Sequence, residues 1–159
     1  MDVSTKMPRL ASWLLVGALV AGTAVAQGEH ASRQSAELLF HYGLVPAEVV
    51  LAHPRAHTER EMHGGPDRGE SHIVLALFDA KDRTRVAQAD VTVRIARAGG
   101  QGVTTRLEPM TIAGQASFGG FVSVGMPGIY TIRFQVRRPG MVGTASAEFE
   151  HRVSPELRR

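Results

Sequence analysis

Histidine and methionine are the residues of this chain best suited to bind a metal, and they concentrate in one stretch. The segment 53–72, HPRAHTEREMHGGPDRGESH, holds four of the seven histidines and Met62. The chain has no cysteine, so thiolate zinc sites, CxxC redox chemistry and iron–sulfur clusters are excluded. Imidazole and thioether ligands suit copper, and neither needs a reducing compartment. This composition indicates a copper-type site.

The histidines of this stretch differ in how well they fit such a site. His53 and His57 have helical i, i+4 spacing, but Pro54 restricts His53 to a helix entry, and a solvated polar arm is the preferred interpretation for that pair. Met62 and His63 precede a Gly-Gly-Pro turn, which would bring His63 near His72. Methionine packed against a sheet is the competing interpretation of Met62.

Two further candidate donors lie in the region of predicted strands. Pro109 predicts the end of a strand, which would project Met110 from a loop beside the Gly114 turn. In the alternative interpretation Met110 caps the end of the core. His151 follows Phe149 on the inward face of the last strand, and we interpret it as a strand-end histidine with satisfied hydrogen bonds.

Other classes of function have little support. Ser117 lies in GQASFGG, but Gly114 is one residue too distant for a G-x-S-x-G nucleophile elbow, and the context is a strand. Phosphate-binding and dinucleotide-binding glycine motifs are absent. The net charge of +3 is spread along the chain without interleaved aromatic residues, which argues against nucleic acid as a partner. We therefore expect a protein that is not an enzyme.

The N-terminus predicts export. Residues 1–26 have a basic start with Lys6 and Arg9, an apolar stretch at 10–20, and small residues at Ala24 and Ala26 before the cleavage point. The apolar run is shorter than the ~20 residues of a membrane-spanning helix. We expect a soluble periplasmic protein of about 130 residues, which is enough for one domain.

The organisation after the signal peptide predicts a mainly β protein. Residues 27–70 are expected to form a polar, histidine-bearing arm with short helices at 36–42 and 47–53, or disorder. From residue 71 to 153, apolar residues recur with period two in six runs, at 72–80, 91–96, 103–107, 116–124, 128–137 and 145–153. Residues 154–159 form a tail. The predicted fold is all-β: an antiparallel immunoglobulin-like sandwich of about six or seven strands.

The run LEPMTIAGQASFGGFVSVGMPGIYTIRFQVRRPG, residues 107–140, resembles the late strands of the periplasmic iron-uptake accessory family. The resemblance covers roughly residues 70–150 and extends to YtkA-like and copper-resistance sandwich domains. It implies a dimeric immunoglobulin-like sandwich that is associated with an iron permease and binds copper through methionine and histidine. The family's ligand methionine corresponds to Met110 and its early-strand histidine to His72. A second family histidine corresponds to Ser117, which cannot replace an imidazole, and a third lies in an insertion that this chain lacks.

These observations predict an exported copper-binding accessory protein that supports metal uptake or handling. The predicted ligands are His63, His72 and Met110, with Met62 as a fourth. The expected partners are a membrane metal transporter or another envelope protein, and a second copy of the chain. The alternative is an envelope interaction module without metal, in which the sheet docks a transporter or receptor.

Overall fold

The computed structural model describes residues 31–46, 49 and 69–155, and these contain eight β-strands. The strands are β1 (Ala31–Ser35), β2 (Leu38–Pro46), β3 (Ser71–Asp79), β4 (Asp90–Arg97), β5 (Gly102–Ile112), β6 (Gln115–Val122), β7 (Gly128–Arg137) and β8 (Ala145–Val153). Within these ranges, no helix is long and apolar enough to cross a membrane.

All strand pairs are antiparallel, and they follow the order β1-β2-β3-β6-β5-β4-β7-β8. Strand β5 joins the two halves of the sheet because its first part, up to Leu107, pairs with β4, and its second part, from Glu108, pairs with β6. The outer strands β1 and β8 come into contact, so the sheet is nearly closed and barrel-like. This arrangement differs from the two separate sheets of the predicted sandwich.

The core lies between the two halves of this sheet and follows from the period-two pattern. In β7, Tyr130, Ile132, Phe134 and Val136 are buried, while the residues between them are exposed. Tyr42 of β2 lies across the core from this strand, with its ring centroid 5.7 Å from that of Phe134 and 4.7 Å from that of Phe149. Alternating apolar residues place one face of each strand against the opposite half of the sheet.

The six strand segments predicted from residue 71 onward are confirmed, although β5 continues to Ile112 beyond its predicted end at 107. The predicted helix at 36–42 is wrong. Ala36 and Glu37 form a turn between β1 and β2, and Ala36 has a φ of 50°. Leu38, Phe40 and Tyr42 then alternate into the core. Burial of this apolar face outweighs the weak helical propensity of the segment. The total is therefore eight described strands rather than six or seven.

The sequence predicts a partly helical arm that includes residues 31–46, but strands β1 and β2 make this segment part of the sheet. Strand β2 pairs with β3 along nine residues, from Leu38–Asp79 to Pro46–Ser71. The signal peptide predicted at 1–26, the second short helix at 47–53, and Met62 and His63 lie outside the described residues, apart from Val49.

Candidate metal centre

The candidate site lies on the face of β3, β6 and β5 that points away from the core. Ile73, Leu75 and Leu77 of β3 belong to the core, so His72 projects from the opposite face by strand alternation. We call this opposite face the outer face. The register places Gly119 of β6 on it as well, next to Val74.

His72 is fully buried even though it projects away from the core. Its ring centroid lies 5.0 Å from that of Phe121, its partner on β6. The preceding residue secures this position, because the Ser71 hydroxyl donates a buried hydrogen bond of 2.9 Å to the carbonyl of Val124. The start of β3 is thereby attached to the segment that follows β6, and the imidazole is held over the sheet.

Met110 lies within strand β5, so the prediction that it projects from a loop is wrong. The strand continues to Ile112, and Met110 pairs with Ser117. Proline at 109 is tolerated because the pairing of β5 with β4 ends at Leu107, and beyond it no strand of residues 31–46 or 69–155 pairs with that edge of β5. Met110 is 6% exposed but is not part of the core cluster, so its burial also belongs to the outer face.

The side chains of His72 and Met110 converge above Gly119. A Cβ atom at position 119 would overlap Met110 Sδ and would lie 3.0 Å from His72 Nε2. Both atoms are therefore within 3.0 Å of the same point in space. Because glycine has no side chain, residue 119 does not occupy this point, and the two donor atoms can approach it.

Ser117, which corresponds to a ligand histidine of the resembled family, has a different role. It is 3% exposed, and its hydroxyl accepts a 3.0 Å hydrogen bond from Nη2 of Arg85. Arg85 also donates from Nε to the carbonyl of Ala116 at 2.7 Å, and its guanidinium lies 4.8 Å from the ring centroid of Phe78. The positively charged guanidinium of Arg85 is thus held beside Ser117, the residue that pairs with Met110.

Of the four predicted ligands, the structure brings His72 and Met110 together, while Met62 and His63 lie outside the described residues. Residues 31–46 and 69–155 contain no group of three or more His, Cys, Asp or Glu side chains arranged to hold a metal. The connection that contains Met62 and His63 leaves β2 at Pro46 and returns at Ser71. Pro46 and Ser71 pair with each other, and Ser71 directly precedes His72.

The donor set fits a copper-type ion better than a hard cation. A thioether and an imidazole are soft and borderline ligands, which suit Cu(I) and also accept Cu(II). Two residues beside the site were not predicted from the sequence. Gly119 leaves room for the two donor atoms, and Arg85 binds the hydroxyl of Ser117. Two adjacent glycines within a strand indicate that other groups approach the backbone closely, so the Gly119-Gly120 pair could have indicated the role of Gly119.

No protein-family model matches the sequence, and the search of curated proteins found no relative. Solved structures do match. The copper-reconstituted P19 protein of Campylobacter jejuni has a TM-score of 0.62 at 9% identity, covering 79% of this chain and 95% of its own. FetP of uropathogenic Escherichia coli has a TM-score of 0.60 at 10% identity, covering 82% and 98%. The chain shares the fold of these proteins.

A DUF4426 family protein of Pseudomonas aeruginosa is similar to the same degree, with a TM-score of 0.61 at 12% identity, covering 79% of this chain and 95% of its own. The resemblance predicted from residues 107–140 is therefore confirmed at the level of the fold. At these identities the likeness concerns the arrangement of the strands. The convergence of His72 and Met110 above Gly119 is an observation on this chain alone.

Proposed function

We propose that the protein is an exported, non-enzymatic accessory protein that binds a copper ion on the outer face of its sheet. Met110 and His72 are the ligands within the described residues. His63 and Met62, from the connection between β2 and β3, complete the site. Its role is to hold the ion outside the cytoplasm and pass it to a partner.

The observation that carries this proposal is the convergence of Met110 Sδ and His72 Nε2 on one point above Gly119. Both side chains are buried, although neither is needed to fill the core. A buried imidazole beside a thioether is a donor pair that copper prefers. Five of the matching solved structures, of P19 and FetP, are described as copper-reconstituted or copper-bound, which agrees with the donor chemistry.

Copper in this position would have a partly protected environment. The outer face supplies Phe121 and Val74 around the donors, and Arg85 lies on the Ser117 side. A site at one face of a sheet suits transfer of an ion, because an incoming donor can displace a ligand without unfolding the protein. We propose a membrane metal transporter as the partner, with a second copy of the chain as a further one.

The test is copper binding by the mature chain, residues 27–159. Cu(I) and Cu(II) are titrated separately, and stoichiometry and thermal stability are measured. We expect one ion per chain. A folded-state ligand at 100 times its dissociation constant should add about 2.7 kcal/mol to the free energy of unfolding.

Two variants remove the donors while keeping most of the volume, namely Met110→Leu and His72→Gln. Replacement of a buried Met by Leu usually costs less than about 1.5 kcal/mol, so the fold should survive Met110→Leu. Met141→Leu and His41→Gln are matched controls, because Met141 packs against the core after β7 and His41 is exposed on β2. Equal copper binding by the wild type and by a variant that carries both Met110→Leu and His72→Gln would refute the proposed site, as would no binding by the wild type.

A further inference from the structure

Glu108 differs from the other acidic residues of the described strands. Asp79, Asp90, Glu148 and Glu150 each lie within 4.0 Å of an arginine side chain. Glu108 forms no ion pair with any residue of 31–46 or 69–155, although it is exposed on a strand of a chain rich in arginine. Its carboxylate is therefore available to another cation.

The register places Glu108 directly beside the point where His72 and Met110 converge. Glu108 pairs with Gly119, and Met110, two residues further along β5, pairs with Ser117. Residues at i and i+2 of a strand share a face, so Glu108 and Met110 both belong to the outer face. The neighbouring residue Leu107 is buried in the core, on the opposite face of the strand, which agrees with this assignment.

The distance is within reach of a glutamate side chain. Directly opposed residues of an antiparallel pair have Cβ atoms about 5 Å apart. A glutamate side chain extends roughly 3.5 Å beyond its own Cβ at standard bond lengths. The carboxylate can therefore approach the Cβ position of Gly119, which lies within 3.0 Å of both Met110 Sδ and His72 Nε2.

We propose that Glu108 is a ligand of the same ion and that it raises the affinity of the site for Cu(II) relative to Cu(I). This inference rests on the proposed function. Oxygen donors stabilise the divalent ion, whereas the thioether and imidazole suffice for the monovalent one. A carboxylate also offsets the positive charge that Arg85 places on the Ser117 side of the site, which would otherwise disfavour a doubly charged ion most.

The test compares Glu108→Gln with Glu150→Gln. Glu150 is an exposed strand glutamate of β8, 4.0 Å from Arg152, so the control removes the same charge far from the site. Cu(II) and Cu(I) affinities are measured by competition with chelators of known affinity. We expect Glu108→Gln to weaken Cu(II) by at least about tenfold and Cu(I) by less than threefold, with no change in the control.

A second measurement separates coordination from a general charge effect. The electron paramagnetic resonance spectrum of the Cu(II) form should change in Glu108→Gln, because an oxygen ligand is lost, and should stay the same in Glu150→Gln. Unchanged Cu(II) affinity, equal losses for both ions, or an unchanged spectrum would overturn the assignment of Glu108. In each of these cases the wild type still binds copper, so the proposed function stands. Failure of the wild type to bind would instead reject the function itself.

Discussion

Substitution of Gly119 by alanine tests the geometry of the site without removing any donor atom. The added Cβ would occupy the point shared by Met110 Sδ and His72 Nε2 and would also lie 3.2 Å from the carbonyl of Ile73. Met110 must move, because its sulfur would overlap the methyl group. We expect Gly119→Ala to separate the thioether from the imidazole.

Gly120 provides the matched control on the same strand. A Cβ at position 120 would lie 3.3 Å from Cδ2 of Leu107 and 3.6 Å from the carbonyl of Arg106, on the core face. Both substitutions reduce the entropy of the unfolded chain by the same amount, about 0.4–1 kcal/mol in favour of folding. The two variants therefore differ mainly in what the new methyl group touches.

The expected free energies follow from these contacts. Overpacking at position 119 should cost about 1–3 kcal/mol, reduced by the flexibility of the methionine side chain. The metal-free variant should thus unfold at a temperature close to or slightly below that of the wild type. Copper at 100 times the dissociation constant should stabilise the wild type by about 2.7 kcal/mol. For a domain of this size that corresponds to roughly 10 °C in Tm.

The assay is thermal unfolding followed by circular dichroism, with Cu(I) and with a copper chelator. We expect the copper-dependent rise in Tm in the wild type and in Gly120→Ala, and little or none in Gly119→Ala. The chelated samples show whether each variant is folded. If Gly119→Ala keeps the full copper-dependent rise, the ion does not sit between these two donors.

Two predictions concern the fold that supports the site. The guanidinium of Arg138 hydrogen-bonds to Asp79 at 2.8 Å and, with the Lys81 backbone N–H, holds the pKa of that carboxyl below its ordinary value. The pair therefore stabilises the folded state above the unfolded pKa of about 4, and this contribution is lost as pH falls through the lowered value. Arg138→Gln should move the midpoint of acid unfolding, measured by circular dichroism, to higher pH, and an unchanged midpoint would contradict this reasoning. Phe40→Ala should lower the free energy of unfolding by about 3–5 kcal/mol in a urea titration, because Phe40 is fully buried. A loss below 1 kcal/mol would instead fit a residue on a peripheral arm.

Much of the sheet could be predicted from the sequence, because alternation of apolar and polar residues is a local property. Strands β3 to β8 lie where the period-two pattern places them, except that β5 continues beyond the predicted end to Ile112, and the buried face of β7 is the one that the pattern indicates. Strand β2 was missed because AELLFHY is short and carries helix-favouring residues at its start. Only its pairing with β3 and its contact with the opposite half of the sheet decide its conformation.

The candidate site could likewise be predicted only in part from the sequence. His72 and Met110 could be named from residue type and from the family resemblance, but they are 38 positions apart in the chain. The pairing of β3 and β5 with the shared strand β6 brings them above Gly119, and no local pattern contains that register. The assignment of Met110 to a loop failed for a related reason. Whether proline ends a strand depends on whether the edge it faces is paired, and this is known only once the neighbouring strand is placed.

The sequence by itself thus determined which candidate donor residues the chain contains, the predominance of β structure and where six of the strands begin. Residue types and their periodicity depend only on neighbours along the chain. The tertiary structure decided which donors meet, that Ser117 is bound by Arg85, and that Glu108 stands beside Gly119. These are contacts between strands, and they arise from the register in which the strands pair.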